Sequence, residues 1–176
     1  MAAYGDGAAH VSAFTQIYTP SGFATSRRES GTVWIQSPQK LRFDYAAPDK
    51  KIFTYDAGEG RFFSPEDMQL TIRKLPPEER ARLPIVFLTR PEELARQYDI
   101  QLDAAKAILL KPRASGSELA WLKLSVSGTG MVDGLAYEDA SGNRTEFRFD
   151  DWRTEKPRPA VDYRITGPKG TRIVEN

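Results

Sequence analysis

Apolar and polar positions alternate in two runs along Ser30-Gly-Thr-Val-Trp-Ile-Gln-Ser-Pro-Gln-Lys-Leu-Arg-Phe-Asp-Tyr-Ala-Ala-Pro48, joined by a short turn that contains Pro38. In the second run Leu41, Phe43 and Tyr45 share one face while Lys40, Arg42 and Asp44 share the other. That is the period of two of a half-buried strand. The same period sets Met68, Leu70 and Ile72 against Gln69, Thr71 and Arg73, and Thr145, Phe147 and Phe149 against Arg144, Glu146 and Arg148. It recurs in Val161, Tyr163 and Ile165, which oppose Asp162 and Arg164. Residues 107–110, 119–126 and 131–137 are further strands, with Gly- and Asn-bearing hairpin turns at Ser127-Gly-Thr-Gly130 and Ala140-Ser-Gly-Asn143. Strands joined by such short turns pair antiparallel, because parallel pairing needs long crossovers. The pattern therefore predicts a mainly β chain with a meandering sheet, greasy on one side.

Residues 76–98 break the pattern. Pro77-Glu-Glu-Arg-Ala-Arg82 begins like a helix, with Pro and acids in its first turn, and Pro84 stops it. Ile85-Val-Phe-Leu88 and Pro91-Glu-Glu-Leu-Ala-Arg-Gln-Tyr98 are two more short helical pieces. Ile85, Phe87, Leu88 and Leu94 have few places to be buried except against the greasy face of the sheet.

At 176 residues, 40% of them hydrophobic and with a net charge of +1, the chain suits one globular domain spanning 1–176. Basic residues interleave with acidic ones, as in Arg27-Arg28-Glu29, so no stripe suited to nucleic acid is present. There is no cysteine, which excludes disulfides, thiolate metal sites and thiol nucleophiles. No run approaches the roughly 20 apolar residues that span a bilayer as a helix.

Enzymatic chemistry finds little footing. The single His10 falls in a stretch read as helical, and no Gly-x-Ser-x-Gly elbow accompanies it. The acid pairs Glu78-Glu79, Glu92-Glu93 and Asp150-Asp151 sit where helix starts and turns ordinarily use carboxylates. Gly128, Gly130 and Gly134 have the wrong spacing for a dinucleotide loop, and Gly167-Pro-Lys-Gly170 has no Ser or Thr after its Lys. No catalytic residue, metal ligand or cofactor site is assigned. The notable feature is apolar: Trp34, Leu41, Phe43, Phe53, Phe62, Phe63, Met68, Leu70, Ile72, Trp121, Leu122, Leu124, Met131, Leu135, Phe147 and Phe149 are many large side chains for a one-sided sheet. On the residues alone an ordinary packed core accounts for them better than a cavity does.

The order of these pieces resembles the periplasmic lipoprotein carriers of the LolA-like family. Phe14-Thr15-Gln16 is similar to that family's Phe-x-Gln strand entry, followed by Gly31-Thr-Val-Trp-Ile-Gln-Ser-Pro38 and Leu41-Arg-Phe-Asp-Tyr45 with Pro48 behind them. Phe53-Thr-Tyr-Asp-Ala-Gly-Glu-Gly-Arg-Phe-Phe63 resembles its acidic-Gly hairpin, and Gly167-Pro-Lys-Gly170, within a closing segment 149–174, its terminal Pro-x-Gly. The resemblance implies a strongly curved, incompletely closed antiparallel β-barrel, covered by short helices and enclosing an apolar cavity. On that reading Trp34, Leu41, Phe43, Phe53, Phe62, Met68, Leu70, Ile72, Leu122, Leu124, Met131, Leu135, Phe147 and Phe149 line the cavity, and unbranched methionines suit a wall that adapts to varied chains. Ile85, Phe87, Leu88 and Leu94 belong to a lid that competes with ligand for the same wall.

The function so implied is a non-enzymatic carrier that takes the acyl chains of lipoproteins from an inner-membrane releasing transporter, as a monomer, to the outer membrane and an acceptor there. Each buried methylene is worth ~0.8 kcal/mol, so a cavity that shields acyl chains offsets a large penalty for crossing water. The resemblance places transporter docking at Ser37, Pro38 and Leu41; the family's Arg before this Pro, which helps tie the lid, is here Ser37, with Arg42 further along. Met1 reads as a start downstream of the natural one, with an export signal to the periplasm and part of a first helix removed. Two alternatives stand beside it: a module of the same fold for another amphiphile such as a glycolipid, and a carboxylate-dependent hydrolase, which requires two facing acids in an open cleft.

Overall fold

The computed structural model describes residues 4, 7–36, 40–76, 95–103 and 106–175. Among these, twelve strands form one open sheet in the order β12-β6-β5-β4-β3-β2-β1-β11-β10-β9-β8-β7. They are β1 (Ala9–Thr19), β2 (Arg27–Gln36), β3 (Lys40–Ala47), β4 (Lys51–Asp56), β5 (Glu59–Ser64) and β6 (Gln69–Lys74), then β7 (Tyr98–Leu102), β8 (Ile108–Pro112), β9 (Leu119–Val126), β10 (Val132–Asp139), β11 (Arg144–Glu155) and β12 (Arg172–Glu175). All neighbours pair antiparallel except β12, which runs parallel to β6. The meander read from the alternation is therefore present, folded into two wings that meet at β1.

Cross-strand register assigns each side chain to a face, since directly paired residues point the same way. Ser12, Val33, Phe43, Phe53 and Phe62 form one continuous row across five strands. Phe147, Leu135, Leu124 and Ile108 continue the same face through the other wing. The main apolar cluster lies on this side and gathers Phe14, Val33, Ile35, Leu41, Phe43 and Tyr55 with Leu110, Leu122, Leu124, Leu135 and Phe149. We call it the inner face.

The opposite, outer face is covered by the C-terminal segment. From Glu155 the chain crosses a 3-10 turn at Ala160–Asp162 and then adds β12 beside β6. Outer-face residues hold it down: Arg42 donates to the Asp162 carbonyl at 2.8 Å, Arg61 to the Ile165 carbonyl at 2.8 Å, and Arg164 pairs with Asp56 at 2.8 Å. Arg158 stacks over the Trp34 ring 4.8 Å from its centroid, and the buried Tyr163 hydroxyl donates to Gln36 Oε1.

Three local expectations are corrected. His10 lies on a strand, not a helix: 9–19 carries β-branched Val11, Thr15, Ile17 and Thr19 and is hydrogen-bonded on both sides. Val161, Tyr163 and Ile165 do not form a strand, because Pro157 and Pro159 lead into the 3-10 turn. Strand β7 was not anticipated, although Tyr98, Ile100 and Leu102 alternate with Asp99 and Gln101. Of the helical insert at 76–98, the described residues retain a helical turn at 95–97; the lid residues Ile85, Phe87, Leu88 and Leu94 lie outside the described residues.

Candidate functional site

The inner face is floored by aromatic rings whose positions follow from alternation and from two irregularities. Gly31 is the register partner of both Phe14 and Tyr45, and with no side chain between them the two rings meet at 5.0 Å and 82°. Phe14 also meets Phe43 at 4.9 Å and 81°, and Phe147 stands 5.8 Å from Phe43 and 6.0 Å from Phe149. Such offset and edge-on geometries suit the ring quadrupole.

The second irregularity is a β-bulge. Register shifts between Val11 and Ala13, and Asp151 sits at φ 57. The buried Ser12 hydroxyl donates to the Asp150 carbonyl at 2.6 Å. The extra residue reverses the alternation beyond it, so Trp152 joins Phe149 on the inner face at 5.5 Å. Trp152 Nε1 donates to the Val132 carbonyl at 2.7 Å, and the Tyr4 ring packs edge-on against Trp152 and His10. The Tyr4 hydroxyl oxygen accepts the Val132 N–H, and burial pushes its pKa up to about 12. One end of the inner face is thus an aromatic plug.

The other end is polar. Glu29 and Gln16 are cross-strand partners, as are Tyr45 and Lys51. Lys51 reaches from β4 across β3 to Glu29 on β2, at 2.6 Å, with its ammonium 4.4 Å above the Tyr45 ring. Tyr45 in turn donates to Gln16 Oε1 at 2.7 Å. Burial first, then the Glu29 charge, raises the Tyr45 pKa, and burial likewise raises that of Tyr137, which is hydrogen-bonded to Thr145.

The inner face brings together Leu41, Phe43, Phe53, Phe62, Leu122, Leu124, Leu135, Phe147 and Phe149, with Met131 packed against the cluster. Its apolar residues extend to β5 in one wing and β7 in the other, where Phe62 is 39% and Leu102 72% exposed. Trp34, Leu70 and Ile72 were expected in the same wall and are not there. Trp34 is paired with Arg42 on the outer face, while Leu70 pairs with Phe63 and Ile173, and Ile72 with Arg61 and Glu175. Their bulk suggested a cavity wall, yet outer positions under a covering segment need large apolar groups too. Met68 precedes β6 in a turn at φ 47 and is 37% exposed, so it belongs to no wall.

Leu41 is 3% exposed, between Ile35 and Tyr55 in register, and presents no surface for docking; Ser37 and Pro38 lie outside the described residues. Arg42 is bound to Asp44 and Asp162 on the outer face and cannot latch anything over the inner one. Residues missed from the sequence are Phe14, Val33, Ile35, Tyr45, Tyr55, Leu110, Val132 and Trp152. For Val33 and Ile35 the signal was their parity with Gly31 against Trp34; for Trp152 the bulge concealed it.

Two open clefts, of about 430 and 340 Å³, are lined mainly by charged residues, including Asp56, Glu59, Arg61, Lys74 and Arg164 in one and Arg28, Glu146, Arg148 and Asp150 in the other. The second also takes Ile17 and Phe147 into its lining. Among the described residues no group of three or more His, Asp or Glu is placed to hold a metal ion.

A model of the family described as "Outer membrane lipoprotein carrier protein LolA" matches residues 8–166. An outer-membrane lipoprotein carrier protein of Xanthomonas campestris pv. campestris (strain B100) is 31% identical over 169 residues, covering 92% of this chain and 79% of that protein. One from Dechloromonas aromatica (strain RCB) is 25% identical over 166 residues, covering 92% and 78%. The fold is similar to an uncharacterized conserved protein of Thermus thermophilus, with TM-score 0.60, 11% identity and 97% and 92% of the two chains covered. It is also similar to MucB, with TM-score 0.53, 13% identity and 98% and 62% covered.

Proposed function

The chain belongs to the LolA family of outer-membrane lipoprotein carriers, and on that premise we propose that it is a periplasmic, non-enzymatic carrier that shelters lipoprotein acyl chains on its inner face between the inner and outer membranes. The observation that carries this reading is the inner face itself, which carries one apolar row from Phe62 to Val33 in one wing and another from Phe147 to Ile108 in the other. Burying methylenes on such a face is worth ~0.8 kcal/mol each, which favours holding acyl chains there over exposing them to water. An inner-membrane releasing transporter supplies the cargo and an outer-membrane acceptor receives it. The lid residues Ile85, Phe87, Leu88 and Leu94 remain part of this proposal, as the element that competes with cargo for the rings.

The test is transfer of a triacylated lipoprotein from inner-membrane to outer-membrane vesicles with this protein as the sole carrier. Release without delivery, or neither, would sink the reading. Mass spectrometry of co-purifying lipid separates it from a module for another amphiphile: a glycolipid in the protein would favour the latter.

A further inference from the structure

We propose that Gln16, Glu29, Tyr45 and Lys51 form a subsite for the uncharged ester and amide carbonyls that join acyl chains to their carrier group, so that an amphiphile lies with its polar linkage at this end and its chains along the Phe14 and Phe43 rings. This deepens the carrier reading and rests on it. The geometry starts from a costly arrangement. The Glu29 side chain is 7% and the Lys51 side chain 21% exposed, and the pair lies beside Tyr45, whose ring touches Phe14 at 5.0 Å. An ion pair taken this far from water contributes little net stability, since desolvation offsets its attraction. A pair of apolar residues would hold β2 and β4 in the same register at less cost.

What the pair does leave is donors aimed over an apolar floor. The Gln16 amide accepts the Tyr45 hydroxyl through Oε1, and its two N–H groups have no partner among the described residues. Lys51 uses one N–H on Glu29 and lies over the Tyr45 ring, which leaves further donors on its ammonium. The charges select the ligand. Arg27 pairs with Glu29 at 3.2 Å and with Asp49 at 2.8 Å, so Arg27, Lys51, Glu29 and Asp49 sum to zero. A neutral, donor-rich site suits carbonyl oxygens and gives no excess positive field for a phosphate or free carboxylate.

The experiment measures binding of three probes: diphenylhexatriene, which has no polar head; dipalmitoylglycerol; and a synthetic triacylated cysteinyl peptide. Wild type is compared with Gln16→Leu/Tyr45→Phe and with Glu29→Gln/Lys51→Met, each of which removes both members of a pair and so avoids stranding a buried group. Both variants should lose about fivefold more affinity for an ester-bearing probe than for diphenylhexatriene, the size of one net hydrogen bond. Loss in the peptide arm alone assigns the carbonyls to protein-borne acyl cysteine, loss in the diacylglycerol arm alone to free lipid, and loss in both to the shared linkage; each supports the subsite. Wild type that binds all three probes, with variants that keep ester affinity or weaken every probe equally, overturns the subsite alone. Wild type that binds none of them overturns the carrier reading and the subsite together.

Discussion

Phe14 and Tyr45 touch edge to face across Gly31, a residue of the strand that separates them. A Cβ at Gly31 would overlap the Asp44 carbonyl oxygen and lie 2.9 Å from the Tyr45 Cα, both backbone atoms of the neighbouring strand. Neither can swing aside as a side-chain tip could. Gly31→Ala should therefore destabilise the protein by about 2–4 kcal/mol, in the range of overpacked interiors, and separate the two rings. Urea denaturation near neutral pH checks it; a midpoint equal to wild type would show that the strand shifts freely.

The two faces should separate in mutagenesis. Leu70 and Phe43 are both buried, but Leu70 lies on the outer face with Phe63 and Ile173, and Phe43 on the inner face against Phe14. Leu70→Ala should cost about 2–4 kcal/mol while leaving diphenylhexatriene affinity unchanged, and Phe43→Ala should lower that affinity as well as stability. Equal losses of affinity would mean that Leu70 shapes the binding surface after all.

This contrast also marks how far the fold and site could be read in the chain. Period two located most of the strands, because each buries one face and exposes or covers the other. It could not say which face was which. Trp34 and Leu70 looked like cavity residues because bulk was the only guide, and their cover comes from residues more than ninety positions away, Arg158 over Trp34 and Ile173 beside Leu70. Parity is also blind to bulges: the extra residue at Asp150 and Asp151 moves Trp152 to the inner face against the count made from Phe147 and Phe149. The Glu29 and Lys51 pair is invisible locally, since its members are on β2 and β4 with β3 between them.

Arg42 is a fastener of the C-terminal segment. It holds Asp44 through a two-point contact at 2.7 and 3.0 Å and donates its remaining nitrogen to the Asp162 carbonyl. Arg42→Ala should loosen 156–171 enough for limited proteolysis to cut there first, with a stability loss of about 1–3 kcal/mol, and leave amphiphile binding at the wild-type level. Cleavage at an unchanged rate would argue that Arg61 and Arg164 suffice.

Alkaline pH should unfold the protein through its buried phenols. Burial raises Tyr4 and Tyr163 from 10.0 to about 12 and also raises Tyr45 and Tyr137. A raised phenol pKa means that the folded state holds its proton more tightly, so the associated stability is fully present below the unfolded value of 10.0 and is lost as pH climbs toward about 12. Each such tyrosine contributes at most about 1.4 kcal/mol per pH unit over that window. Urea midpoints from about pH 8 to about pH 11 should fall beyond the unfolded value, and Tyr4→Phe should flatten the fall. A profile as steep in Tyr4→Phe as in wild type would remove Tyr4 from the effect.

Leu41 decides between a docking role and a packing role for its part of β3. Its side chain is 3% exposed and lies in register between Ile35 and Tyr55, both also buried, near the end of the inner face that carries His10. A carboxylate there has no basic residue directly opposite it, since its register partners are Ile35 and Tyr55, and removing a charge from water without a partner costs several kcal/mol. Leu41→Glu should thus destabilise the protein by about 3–5 kcal/mol, or force its carboxyl to stay protonated, and lower lipoprotein transfer as a consequence of lost structure. Leu41→Met, which conserves volume, should keep both stability and transfer. A Leu41→Glu protein that melts like wild type yet fails to load cargo would contradict this placement and return Leu41 to the surface that meets the transporter.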